Sequence, residues 1–591
     1  MMVDRTQPFV LADDARPGGR TVLYRRPVRT VTARDADGLA AALDALTTAS
    51  ASGLHAAGFI SYEAGHALEP RLAPLMREPA GGLPLMWFGV FEAAEPVDPA
   101  AVLPDPAGAW IGAARPGISR AAYLTAFDTV QAAIRAGDIY QANLTFPATV
   151  PVAGDPMAIY AKLRARSLAG HGALVWTGTD WLISLSPELF FASTGRSITV
   201  RPMKGTAPRG ADADADRATA AALQADAKQR AENLMIVDLM RNDLSRVAVA
   251  GSVQVPALYT VEPYPTVHQM VSTVTATLDA GTDAVGVLRA LFPCGSVTGA
   301  PKIRAMEVIH DVEAGPRGAY TGAIGSIAPG GDATFNVAIR TLHLKPGEAT
   351  ASLGLGSGIV ADSVGGEEWD ECLTKARFLT AGERPVDLIE TMAFLPEHGI
   401  LRLDHHLHRM RESARALGHA FDRHEARNAL QAATFRLDGP ARVRLVLGAS
   451  GAIAIETGPM PPAPTEPVSV AIVPRKVAPD DFRLRHKTSD RALYDDPRRA
   501  AGTLEVLFAD ADGQLSEGSF TSLFVPMPDG RYATPPLAAG LLPGVLRTAM
   551  IEAGEAVERP LTAADLAQGF CVGNSLRGLI VARLVAEADR G

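Results

Sequence analysis

The spacing of apolar positions divides this chain into elements before any chemistry is considered. Tyr123, Phe127, Val130 and Ile134 recur at three- and four-residue intervals after Ser119. That period puts them on one face of a helix. The pattern stops at Gly137-Asp138, and Ile139-Tyr140-Gln141-Ala142-Asn143-Leu144 then predicts an extended segment. Leu234 to Leu244 reads as a second helix. A third runs from about Leu403 to Leu417, with Leu407, Met410 and Ala414 on one face. Gly58-Phe59-Ile60-Ser61-Tyr62-Glu63-Ala64-Gly65 predicts a strand entering a turn.

Breaks in the pattern set the domain organisation. Pro104 to Gly117 is rich in Pro, Gly and Ala and predicts a loop. The Ala/Asp-rich stretch 209–222 predicts an exposed loop entering a helix. A boundary is expected at Ala381-Gly382-Glu383-Arg384-Pro385, because a new apolar start follows at Val386-Asp387-Leu388-Ile389-Glu390, with a turn at Glu397-His398-Gly399. Gly458-Pro459-Met460-Pro461-Pro462-Ala463-Pro464 cannot continue a helix or a central strand, so it reads as a linker between two lobes. The expected domains are therefore 1–380 and 385–591, the second with lobes of about 385–458 and 468–591. No internal repeat of 20–50 residues is visible.

Composition narrows the class. The 591 residues are 47% hydrophobic and 20% charged, which suits a globular protein of several domains. A net charge of −9 without a basic face argues against nucleic-acid binding. Cys294, Cys372 and Cys571 form no Cys-x-x-Cys pair, so reduced thiols in a cytoplasmic protein are expected rather than a zinc site or disulfides. Met1-Met2-Val3-Asp4-Arg5-Thr6 has no basic region leading into an apolar run, so no signal peptide is expected. No membrane span is expected either: Leu182 to Phe191 is interrupted by Ser186, Pro187 and Glu188.

Several phrases carry chemistry. Arg201-Pro202-Met203-Lys204-Gly205-Thr206 is preceded by Ser186-Pro187-Glu188. It is followed by Gly299-Ala300-Pro301-Lys302, Met306-Glu307, Gly356-Ser357-Gly358-Ile359-Val360 and Glu368-Trp369-Asp370-Glu371. Alone, any of these charges would be a solvated surface residue. Together and in this order they resemble the chorismate-utilising enzymes. Lys204 narrows the resemblance to the aminodeoxychorismate synthases of component I type, since anthranilate synthases carry Ala in that phrase.

That resemblance implies amination of chorismate at C4. Lys204 would be the nucleophile attacking ring C2, which it can do only as the free amine. Glu188 would protonate the departing C4 hydroxyl, which near neutral pH needs a raised pKa. Glu307, Glu368 and Glu371 match the carboxylates that hold Mg²⁺, a hard cation suited to oxygen donors. Glu368 and Glu371, at i and i+3, share a face if their segment is helical. Arg340 matches the arginine that clamps a chorismate carboxylate with a bidentate fork. Tyr320, Thr298, His268 and Lys375 match further substrate contacts, with Gly356 and Gly358 offering backbone N–H groups; a buried histidine satisfied by hydrogen bonds is the other reading of His268. No nucleophilic Cys stands in a glutaminase setting, so the ammonia is expected from solution or from a separate glutamine amidotransferase subunit.

Residues 385–591 resemble the class IV, fold-type IV pyridoxal phosphate enzymes, and among them the aminodeoxychorismate lyases. The match rests on Leu403-Asp404-His405-His406-Leu407-His408-Arg409-Met410, His486-Lys487-Thr488-Ser489-Asp490-Arg491, Leu515-Ser516-Glu517-Gly518-Ser519, Leu541-Leu542-Pro543-Gly544-Val545-Leu546-Arg547 and Asn574-Ser575. It implies that Lys487 carries the cofactor, Arg409 binds its phosphate and Glu517 pairs with its pyridine nitrogen. Gly544, Val545 and Ser575 would complete the phosphate site. Relatives that are aminotransferases share these cofactor residues, so lyase and aminotransferase both stay open here. Enzymes of this fold type are usually dimers, which implies a homodimer through the C-terminal domain.

The fold class expected is α+β: an N-terminal chorismate-binding sandwich of antiparallel sheets with outer helices, then a two-lobed fold-type IV domain. The function expected is two-step formation of 4-aminobenzoate for folate, the product of the first domain feeding the second. The alternatives are an anthranilate or salicylate synthase fused to a branched-chain or D-amino acid aminotransferase, and a non-catalytic scaffold for a glutaminase.

Overall fold

The computed structural model describes residues 3–264, 267–383 and 385–585. Met1, Met2, Arg384 and the end of the second domain, all named in the expectations above, lie outside that range. The chain divides into two compact units: 1–106, 113–150 and 156–381 form the first, and 107–112, 151–155 and 382–591 the second. The second unit thus recruits two short segments from far upstream, which the composition breaks had not foretold.

In the first unit, apolar strands build two large sheets. One includes Phe9–Asp13, Gln141–Ala153, His171–Trp176, Trp181–Ser186, Thr341–Leu344 and Thr350–Ile359. The other has ten strands and includes His55–Ile60, Met86–Phe91, Leu189–Thr194, Ser197–Arg201, Met203–Pro208, Val267–Thr277, Ala323–Ile327 and Ala333–Val337. Val10, Val175 and Leu182 of one sheet pack with Phe59, Trp87 and Ile324 of the other, so a core lies between them. The outer face of the ten-stranded sheet buries Leu39, Leu43 and Leu46 of helix Ala36–Ala51, Ile236, Val237 and Met240 of helix Ala227–Ser245, and Leu288 of helix Ala284–Leu291. This is the expected sandwich with outer helices.

The helix read from Tyr123, Phe127 and Val130 spans Arg120–Arg135 and buries those three residues. Ser119 caps it, accepting from the Ala122 amide at 3.1 Å. The stretch 209–222 is more ordered than its polarity suggested. Asp212 accepts from the amides of Asp214 and Ala215 and starts helix Ala213–Ala225. The loop expected over Pro104–Gly117 holds the short strands Trp110–Ile111 and Arg115–Pro116.

The second unit has two lobes. Leu388–Leu395, Ala441–Leu447 and Ile453–Pro459 make an antiparallel sheet against helices Leu403–Ala416 and Arg423–Thr434. Leu388, Met392, Leu407, Met410, Val443 and Leu445 form its core, with Trp110 and Ala153 packed against it. The other lobe is a nine-stranded mixed sheet in which Val468–Pro474 runs parallel to Glu505–Ala509 and Gly578–Leu584. Val468, Leu507, Leu523 and Val572 lie in its core. Among the described residues, no helix is long and apolar enough to cross a membrane.

Candidate active sites

Lys204 sits where strand Met203–Pro208 is irregular. Its pairing with Val267–Thr277 slips between Met203 and Thr206, and Gly205 takes φ +104°, a conformation open to glycine. Such a bulge re-aims the neighbouring side chain. The Lys204 ammonium lies 3.3 Å from Glu232 on helix Ala227–Ser245. It also lies against Gly358: a Cβ on that glycine would stand 2.8 Å from Nζ and 3.1 Å from the side-chain Nε2 of Gln141. Gly358 therefore leaves the space that the lysine occupies.

Glu188 follows Pro187 between strands Trp181–Ser186 and Leu189–Thr194. Ser186 Oγ accepts from its amide at 3.2 Å and donates to the Val337 carbonyl at 2.6 Å, which pins the corner. The side chain is buried and its Oε1 has no hydrogen-bond partner. Burial pushes its pKa up to about 7, against Ser296, the Met203 amide, Lys204 and Lys375. A carboxyl so buried can hold its proton near neutrality.

The remaining positions fall into place unevenly. Lys375 donates to the Gly356 carbonyl at 2.9 Å and pairs with Glu371 at 2.8 Å. Arg340 takes φ +49°, lies 5.8 Å from the centre of the Phe378 ring, and makes no side-chain hydrogen bond or ion pair among the described residues. Burial lowers its pKa, as for a cation waiting for an anion. The Tyr320 ring packs on bare backbone, since a Cβ on Gly354 would fall 2.0 Å from it. The Thr298 hydroxyl is turned to the carbonyls of Cys294 and Gly295, both at 3.2 Å, so it closes a turn. His268 Nε2 bonds Asp216 at 2.8 Å while its buried Nδ1 has no partner.

The carboxylates expected to share a metal do not meet as a trio. Glu307 is taken by Arg71 at 2.6 Å and Arg304 at 3.0 Å. Glu368 and Glu371 share helix Gly365–Lys375, and Glu368 accepts from Ser363 Oγ at 2.7 Å. Among the described residues no three His, Cys, Asp or Glu side chains stand close enough to hold an ion. The carboxylate at Lys204 is instead Glu232, which the sequence reading missed. Burial opposes the charge of Glu371, but Lys375, Lys204 and Lys228 keep its carboxyl below the ordinary range. Glu232 faces Lys204 directly, and Lys204 is among the cations that act on Glu371.

In the second unit a cavity of about 370 Å³ gathers Arg409, Lys487, Glu517, Gly544, Val545 and Ser575. Its walls come from both lobes, joined where the Ile389 amide donates to the Lys487 carbonyl at 2.9 Å. Lys487 is half-buried, and desolvation, then Arg409 and Arg491, brings its amine down to about 7. Glu517 accepts from Tyr494 Oη at 2.8 Å and the Leu542 amide at 3.1 Å, and burial raises it to about 7.

Arg409 is held by Glu390 through 2.8 and 2.6 Å bonds and donates to the Pro543 carbonyl at 3.1 Å. Glu390 also bonds His406 at 2.6 Å, whose other nitrogen lies 2.8 Å from Ser575 Oγ. Burial opposes the Glu390 charge, but Arg409 and His406 hold it at about 2. This chain of four groups was not foreseen. Its one sequence signal was a glutamate inside the apolar run Leu388-Ile389-Glu390-Thr391-Met392. Glu505 was missed as well: it accepts from the Ser519 amide and hydroxyl, the Phe520 amide and the Thr521 hydroxyl, and so shapes the loop beyond Glu517.

Residues 7–381 match the model of the chorismate binding enzymes. The chain belongs to that family. Residues 387–585 match amino-transferase class IV, the pyridoxal phosphate class implied by the Lys487 phrases. This chorismate-binding chain is 44% identical over 261 residues to aminodeoxychorismate synthase component 1 of Klebsiella aerogenes, covering 44% of this chain and 57% of that one. It is 41% identical over 261 residues to anthranilate synthase component 1 of Thermus thermophilus, covering 44% and 56%. The matched region is thus just over half the length of these relatives. Among solved structures, anthranilate synthase component I from Streptococcus pneumoniae aligns with a TM-score of 0.53 at 27% identity, over 61% of this chain and 92% of that one.

Proposed function

We propose that the first unit aminates chorismate at C4 and the second removes pyruvate to leave 4-aminobenzoate, the aromatic amine of folate. The observation that carries the reading is that Lys204, lodged against Gly358, acts on a buried Glu188 whose carboxyl burial pushes up to about 7. Glu188 gives its proton to the C4 hydroxyl, which leaves as water as Lys204 Nζ bonds to C2. Ammonia then bonds to C4 and expels the lysine. Nζ must leave Glu232 before it can attack as an amine. Arg340 receives a substrate carboxylate. Mg²⁺, held by Glu232 and Glu371 with water, would neutralise a substrate carboxylate. Ammonia comes from a separate glutaminase subunit.

In the second unit Lys487 holds pyridoxal phosphate and, as a free amine, takes the proton from C4 of the substrate. Glu517 keeps the ring nitrogen protonated, and Gly544, Val545 and Ser575, with Arg409, hold the phosphate. The cofactor supplies an electron sink when bound. The enolpyruvyl group leaves as pyruvate and the ring becomes aromatic.

Incubation with chorismate, ammonium, Mg²⁺ and pyridoxal phosphate tests both halves. Equal amounts of 4-aminobenzoate and pyruvate are expected. Anthranilate as the product would favour the anthranilate synthase alternative, which Lys204 speaks against. Conversion of an ordinary amino acid to its keto acid would favour an aminotransferase.

A further inference from the structure

The cavity around Lys487 holds more positive charge than its cofactor requires. Arg409, Arg442, Lys487, Arg491, Arg498 and Arg577 line it, against one carboxylate, Glu517. Three of these cations are already committed. Arg409 is tied to Glu390 and the Pro543 carbonyl. Arg491 donates to the Ser519 carbonyl and lies 4.3 Å from the centre of the Tyr494 ring. Lys487 is the residue that takes the cofactor.

Arg442 and Arg498 are not committed in this way. Arg442, on strand Ala441–Leu447, makes no side-chain hydrogen bond or ion pair among the described residues. Arg498, on helix Ala492–Ala501, reaches Asp495 only at 3.8 Å, and its buried Nε has no partner. The Phe520 ring, centred 5.7 Å from its guanidinium carbon, gives that group a flat support. A guanidinium fork with open donors is the natural receiver of a carboxylate. The two forks come from different lobes and border one cavity, so a single molecule can meet both.

We propose that Arg442 and Arg498 each receive a substrate carboxylate and so select an amine carrying two carboxylates over an ordinary amino acid. This rests on the reading of the cavity as a pyridoxal phosphate site. It adds the residues that set specificity there, apart from those that hold the cofactor.

The test titrates the full-length holoenzyme with isophthalate, a ring dicarboxylate, and with benzoate, its monocarboxylate counterpart, reading the perturbed absorbance of the bound cofactor. The wild type is expected to bind isophthalate about tenfold or more tighter, one further charge-assisted contact being worth that much. Arg442→Gln and Arg498→Gln should each erase most of the preference while cofactor content stays unchanged. Arg442→Lys and Arg498→Lys should restore part of it, which separates lost charge from misfolding. Equal binding of the two acids by the wild type overturns the proposal, as does a preference that survives the double Gln variant. Loss of cofactor from either Gln variant would assign that arginine to the cofactor and overturn it as well. If the preference behaves as expected but no pyruvate forms from aminodeoxychorismate, the lyase reading fails and this inference stands.

Discussion

Tyr494 donates its hydroxyl hydrogen to Glu517 across 2.8 Å, inside a wall where, among the described residues, that carboxylate has one other donor, the Leu542 amide. The bond favours the ionised form against the burial that raises Glu517 to about 7. Tyr494→Phe should therefore weaken pyridoxal phosphate binding by roughly ten- to a hundredfold, since hydrogen bonds to charged groups contribute about 1.5–3 kcal/mol. Titration of the cofactor into the apo protein measures this. Unchanged affinity would detach Glu517 from the ring nitrogen.

Cofactor capture should speed up as pH rises through about 7. Lys487 has its amine lowered to about 7, so below that pH it is protonated and cannot condense with an aldehyde. Stopped-flow absorbance between pH 6 and 8.5 would follow the rise. An ordinary lysine would keep climbing well beyond pH 9, and that result would remove the burial argument. Lys487→Ala should capture no cofactor covalently, and chorismate and ammonia should then accumulate aminodeoxychorismate.

Amination should lose rate on the alkaline side of neutrality. Glu188 acts as an acid only while protonated, and its pKa is raised to about 7, so the active fraction falls as pH climbs past that value. Glu188→Gln should cut kcat for amination by about 10²–10⁴ and remove that limb, leaving pyruvate release from supplied aminodeoxychorismate intact. A variant with near-normal turnover would mean that another group protonates the hydroxyl.

Gly358→Ala should impair chemistry more than stability. The new methyl would stand 2.8 Å from Lys204 Nζ, the far end of a flexible side chain that can swing away. A fall of tenfold or more in amination, with Tm within a few degrees of wild type, is the expected pair of results (order-of-magnitude figures). Lys204→Ala should abolish amination outright. Normal amination by Lys204→Ala would dismiss the lysine as nucleophile.

Glu232→Gln should raise the Mg²⁺ needed for half-maximal amination by about tenfold or more, whereas Glu307→Gln should leave it unchanged. Glu307 is occupied by Arg71 and Arg304, and Glu232 faces Lys204. The opposite pattern would return the metal to Glu307.

The contrast between Glu232 and Glu307 shows what the sequence could and could not convey. Lys204, Glu188, Lys487 and Glu517 stand in the short phrases that carry the resemblance, so the sequence could single them out. Glu232 lies in Lys228-Gln229-Arg230-Ala231-Glu232, a run that reads as a solvated helix face. Only the packing of that helix on strands Met203–Pro208 and Val267–Thr277 turns Glu232 toward Lys204. Glu307 is engaged both by its near neighbour Arg304 and by Arg71, and the second partner is remote in sequence, so no local pattern announces it. Helix Arg120–Arg135 was legible because apolar periodicity reports burial directly, whereas the sandwich and the two-lobed domain were expected from the resemblance. The Glu390–His406–Ser575 chain was not, since it joins three elements that meet only in the folded domain.

The second unit is not continuous in sequence, and that bears on how the gene can be cut. A fragment starting at 382 would contain every phrase that identifies the class IV match, yet it would lack 107–112 and 151–155. Trp110 and Ala153, which pack against the apolar core of the first lobe, would be missing, and the surface they cover would face water. Such a fragment should express poorly or aggregate even though the residues proposed for its chemistry are all present. Linking the two upstream strands back onto it should restore solubility, so the transferable module is a discontinuous one, and sequence boundaries alone would place the scissors wrongly.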